Sequence, residues 1–80
     1  MVTTESVRQS IEKGIACAFL QVKGDGQHFE ATIVSGLFRG KTRVERHQMV
    51  YSALGDRMRE EIHALSMKTL TPEEWRVQNG

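Results

Sequence analysis

Two alternating segments flank Gly24-Asp25-Gly26-Gln27, and this pattern limits what the chain can become. In residues 16–23 (ACAFLQVK), Ala18, Leu20 and Val22 share one face, and Cys17, Phe19, Gln21 and Lys23 share the other. In residues 28–35 (HFEATIVS), Phe29, Ala31 and Ile33 alternate with His28, Glu30, Thr32 and Val34. A period of two sends successive side chains to opposite faces of a strand. Glycine accepts positive φ without steric cost, so the tetrapeptide between the segments supplies a turn. The spacing predicts a β-hairpin over residues 16–35.

The flanking segments change period. Val7, Ile11 and Ile15 recur every four residues behind Thr3 or Thr4, either of which can cap a helix. Gly14 is expected to end that helix. After the hairpin comes a loop with two glycines, Gly36–Lys41, and Thr42 is placed to cap a second helix. Its expected inward stripe is Val44, His47, Tyr51, Leu54 and Met58, with Val50 beside it. Gly55-Asp56 should break or kink it, giving a second short helix near Asp56–Glu61. Ala64–Leu70 alternates Leu65 and Met67 against Ser66 and Lys68, a third strand. Thr71-Pro72-Glu73-Glu74-Trp75 then reads as a helix start. Thr71 caps, Pro72 takes the first helical position, and Glu74 reaches back. Leu70 and Trp75 occupy the two positions of a hydrophobic staple.

The expected order is α-β-β-α-α-β-α, an α+β fold with a three-stranded mixed sheet packed against helices. Eighty residues allow one domain with one core, here about residues 4–76 of 1–80. About two dozen residues separate strands 2 and 3, which suits a crossover between parallel neighbours. If so, their N-terminal ends share one edge of the sheet. His28 begins strand 2 and His63 immediately precedes strand 3. Neighbouring strands lie ~4.8 Å apart, so two imidazoles there can reach one metal centre.

Composition narrows the function. The chain is 39% hydrophobic and 26% charged, with a net charge of +1, so nothing global demands nucleic acid. No apolar run approaches a membrane span, and the N-terminus lacks the pattern of a secretory signal. The single cysteine, Cys17, can form no internal disulfide, which points to the cytoplasm. No nucleophile motif, P-loop or zinc pair is present, so an enzyme is not expected. Locally, Arg39, Lys41, Arg43 and Arg46 crowd eight positions against one acid, Glu45. That cluster suits DNA phosphates, an acidic protein face or a solvated loop. No aromatic residue interleaves it as a stacking platform.

The segments LFRGKTRVERHQMVYSAL and IHALSMKTLTPEEW, together with GDGxHF in the hairpin, resemble the BolA family in its short bacterial type. The resemblance runs from about Thr4 to Trp75. It implies a fold similar to a class II KH domain, in agreement with the order read above. It also implies two activities. One is partnership with a monothiol glutaredoxin, sharing a [2Fe–2S] cluster in iron–sulfur trafficking and iron homeostasis, with glutathione supplied by the partner. The other is DNA binding and transcriptional regulation linked to stress and cell morphology. GLFRG is not the G-x-x-G loop that many KH domains apply to nucleic acid.

His63 matches the histidine that the family uses as a cluster ligand. The family's second ligand, Cys or His, sits in a longer loop between strands 1 and 2. Here Gly24–Gln27 is short and holds neither, which leaves His28 as the nearest candidate. Cys17 does not match that loop. The bland alternative for His63 is a side chain tied to a backbone carbonyl, and for His28 simple exposure. His47, on the expected apolar stripe, reads as packing rather than ligation. Met49, Met58 and Met67 read as core filler. The isolated chain is expected to hold no cofactor and to be a monomer or a weak homodimer through a sheet edge.

Overall fold

The computed structural model describes residues 2–56 and 64–79. Its elements are α1 (Thr4–Gly14), β1 (Phe19–Gly24), β2 (His28–Val34), a 3-10 turn (Gly36–Phe38), α2 (Arg43–Leu54), β3 (Ala64–Leu70) and α3 (Pro72–Asn79). This is the expected α+β order, except that the short helix near Asp56–Glu61 lies, beyond Asp56, outside the described residues. So do Met58 and His63.

β2 is the central strand, antiparallel to β1 and parallel to β3. The hairpin forms as the alternation predicts, but β1 starts three residues late. At Ala16 a side chain takes the place of the β2 backbone: the Ser35 hydroxyl donates to the Ala16 carbonyl at 2.7 Å, while the Ala18 N–H still reaches the Val34 carbonyl. Cys17 is half-buried in that lead-in, its thiol donating to the Ile15 carbonyl.

The inner face of the sheet carries Phe29, Ala31 and Ile33, all buried against α1 and α2. From α1 come Val7, Ile11 and Ile15, the predicted stripe. Thr3 caps α1 with Ser6 as its reciprocal partner. At Gly14 a Cβ would stand 2.7 Å from the Cβ of Ala53, so α1 and α2 approach there only because the side chain is missing. Phe38 closes the core from the 3-10 turn, fully buried. Each such side chain contributes roughly 1.5–3 kcal/mol.

The expected stripe of α2 needs correction. Val50 and Leu54 are buried, but Val44 is 65% and Tyr51 41% exposed. The helix is turned so that Arg46, Val50 and Leu54, spaced by four, face inward with Met49 and Ala53 beside them. Arg46 fills an inward position because its apolar stem packs while its guanidinium finds polar partners.

The other face divides in two. Phe19 pairs with Val34, and Val34 with Leu70, so these three form one row. Trp75 of α3 stacks on Phe19, ring centroids 4.8 Å apart and planes at 19°. Trp75 thus reaches across to β1, beyond the staple partner expected for it. The rest of that face holds Gln21, Lys23, Glu30, Thr32, Ser66 and Lys68, with no helix over it among the described residues.

Candidate functional site

Two places on β3 carry the residues singled out above. The first is its N-terminal end. The parallel register sets His28 opposite Ala64, the residue directly after His63. The parallel pairing of strands 2 and 3 that the sequence suggested is therefore present, and His63 itself lies outside the described residues. The Asp25 carboxylate accepts the backbone N–H groups of Gln27 and His28, each at 2.9 Å, and the Asp25 N–H donates back to the His28 carbonyl. These bonds, that from His28 first, hold the Asp25 carboxyl below its ordinary range. The His28 backbone is thereby fixed while its side chain is exposed, with no hydrogen bond among the described residues. Such a group is presented outward rather than spent on the fold.

No group of three or more His, Cys, Asp or Glu suited to a metal occurs among the described residues. His28 by itself is a single donor, so a metal held there would need its other ligands from outside the described residues.

The second place is the C-terminal end of β3. A groove of about 470 Å³ runs between the start of α2 and the edge strand, lined by Lys41, Arg43, Arg46, His47 and Lys68, with Met67, Thr69 and Leu70 as its floor. Among the described residues Glu74 is its only lining carboxylate. The loop that delivers Lys41 turns at Gly40, whose φ of +75° favours glycine. Thr42 and Glu45 then form a reciprocal cap on α2, the Thr42 N–H donating to the Glu45 carboxylate at 2.8 Å. That bond holds the Glu45 carboxyl below its usual value.

Half of the predicted basic cluster is already engaged. Arg39 makes a two-pronged pair with Glu73, Nε to Oε1 at 2.9 Å and Nη2 to Oε2 at 2.6 Å. This pair lowers the Glu73 carboxyl to about 2. Arg46 donates to the carbonyls of Thr69 and Lys41, both at 3.1 Å, and to Glu74 at 2.8 Å. Its guanidinium carbon stands 5.9 Å from the Phe38 ring centroid, and its side chain is 13% exposed. Glu74 also completes the predicted capping box with Thr71. Arg46 is thus mainly a structural tie among α2, β3 and α3. Lys41 and Arg43 have no carboxylate partner among the described residues. His47 is half-buried at the groove rather than packed in the core. Lys68 joins the groove unpredicted; only its place on a strand was legible.

Residues 1–74 match the family described as BolA-like protein. The chain belongs to the BolA family. A DNA-binding transcriptional regulator BolA from Haemophilus influenzae is 34% identical over 89 residues, covering 99% of this chain and 86% of that protein. Protein BOLA2 of Arabidopsis thaliana is 43% identical over 81 residues, 95% of this chain and 86% of its own length. A solved BolA homologue from Coxiella burnetii superposes with a TM-score of 0.85 at 47% identity, covering 95% of this chain and 99% of that one. The mixed three-stranded sheet with helices is the arrangement of these BolA structures. No helix among the described residues is long and apolar enough to cross a membrane.

Proposed function

We propose that this BolA-family chain is a non-enzymatic adaptor that binds a monothiol glutaredoxin and contributes histidine ligation to a [2Fe–2S] cluster shared between them. The observation that carries this reading is the β2–β3 register, which sets exposed His28 opposite the neighbour of His63. The donor chemistry fits. Neutral imidazole can replace thiolate on iron, and one or two histidines leave the other ligands to the partner. When bound, the cluster would supply electron storage and exchangeable iron; the chain's part is to present imidazole from a fixed backbone. Binding needs deprotonated imidazole, so it weakens as pH falls.

The test is spectroscopic. Mixing the protein with a cluster-loaded monothiol glutaredoxin should change the visible spectrum. His63→Ala should abolish that change and His28→Ala should reduce it. Identical spectra for wild type and His63→Ala would refute the reading.

A second reading, a DNA-binding regulator, is favoured by the naming of the Haemophilus relative as one and by the cations of the groove. Affinity for promoter-like DNA measured at two salt concentrations separates the two. Phosphate contacts through Arg39, Lys41, Arg43 and Arg46 would make it fall with the logarithm of salt.

A further inference from the structure

The groove has a property that charge alone does not describe: its floor is a strand edge. β3 is the last strand of the sheet. The Ser35 N–H donates to the Leu70 carbonyl, so Leu70 directs its backbone groups toward β2. Backbone direction alternates along a strand. Leu65, Met67 and Thr69 therefore aim their N–H and C=O groups away from β2. The carbonyl of Thr69 is taken by Arg46. Those of Leu65 and Met67, with their N–H groups, have no strand partner among the described residues.

Above this edge stand Lys41, Arg43 and Lys68, without carboxylate partners among the described residues. Arg43 borders both this groove and a smaller one over Glu30, Thr32, Ser66 and Lys68, so it stands at the boundary of the edge and the open sheet face. The molecule also shows what chemistry this neighbourhood accepts. Glu73 and Glu74, adjacent acids at the start of α3, are held by Arg39 and Arg46.

We infer that the groove receives an extended acidic segment of a partner protein, added as a fourth strand beside β3. Its backbone would pair with Leu65 and Met67, and its carboxylates would meet Arg43, Lys68 and Lys41. Strand addition of this kind draws affinity from main-chain bonds and specificity from flanking side chains. A nucleic acid fits less well. Among the described residues the groove lining holds no Phe, Tyr or Trp for base stacking, its one ring being the half-buried His47, and two of the four predicted cations, Arg39 and Arg46, are already paired. The inference requires no cluster and stands apart from the glutaredoxin reading.

The experiment uses the full chain and a dye-labelled octapeptide alternating Glu with Val and Thr. The peptide should bind and should slow hydrogen exchange at the amides of Leu65 and Met67. Arg43→Gln with Lys68→Gln should weaken binding about tenfold while leaving the thermal melt in place. A peptide with Lys for Glu should not bind. Unchanged exchange at Met67 at saturation would overturn the proposal. So would equal binding by a peptide carrying a central proline, or tighter binding by a single-stranded oligonucleotide of the same charge.

Discussion

At its N-terminal end β3 runs beside exposed His28, whose imidazole makes no hydrogen bond among the described residues. At its C-terminal end Thr69, Leu70 and Thr71 are buried, and Arg46, Glu74 and Ser35 bond to their backbones. One strand thus joins a sparse end to a densely bonded one. Polar residues at the dense end are largely consumed by the fold. At the sparse end the backbone is fixed and the side chain is left over. Raw density of charge in the sequence therefore overstates how many of the cations are free. Four cations crowd the loop before α2 and the first turn of that helix, yet Arg39 and Arg46 already hold carboxylates.

The contrast can be broken most directly at Arg46. Arg46→Leu should destabilise the fold by about 2–3 kcal/mol, because it orphans the Thr69 carbonyl and removes the tie to Glu74. Urea denaturation measures this. An unmoved midpoint would mean that the dense end is not held as described.

The exposed pair beside it should matter less and should be read by pH. The Glu73 carboxyl lies at about 2 in the folded chain, against an ordinary 4.5, chiefly through its hydrogen bonds from Arg39. A depressed carboxyl contributes stability that is complete above the unfolded value and lost as pH falls through the folded one. The loss should therefore run from about pH 4.5 down to about 2. Arg39→Ala should move the Glu73 midpoint, followed by carboxyl NMR, back toward its ordinary value. A midpoint unchanged by that substitution would remove the cause assigned here.

At the sparse end, His28→Ala should leave stability within about 0.5 kcal/mol of the parent, since no hydrogen bond among the described residues uses the ring. A larger loss would show the imidazole to be structural and would count against its being presented to a partner.

What could be read from the residues follows how local the cause is. Val7, Ile11 and Ile15 on α1, the alternation of Phe29, Ala31 and Ile33, and the Thr71-Pro72-Glu74 helix start all appear as predicted. Their physics is complete within a few neighbours. The rotation of α2 was not legible, because Arg46 counts as polar in any periodicity but buries its stem. The pairs Arg39–Glu73 and Arg46–Glu74 join residues 34 and 28 positions apart, which no local pattern records. Ser35 looked like the last residue of a strand, yet its hydroxyl serves both the Ala16 carbonyl and the Leu37 N–H. The meeting of His28 with the start of β3 was reachable because the length between strands suggested a parallel crossover. The family resemblance supplied the chemical meaning of His63.

The stack of Trp75 on Phe19 has a practical consequence. Trp75 is the single tryptophan of the chain, and it lies where the last helix meets the first strand. Its fluorescence therefore reports closure of the C-terminal helix onto the hairpin. Circular dichroism is weighted instead toward α1 and α2. An unfolding curve that separates the two signals would mean that the C-terminal helix undocks before the body melts. Coincident curves would mean that the ends of the chain open together with its core.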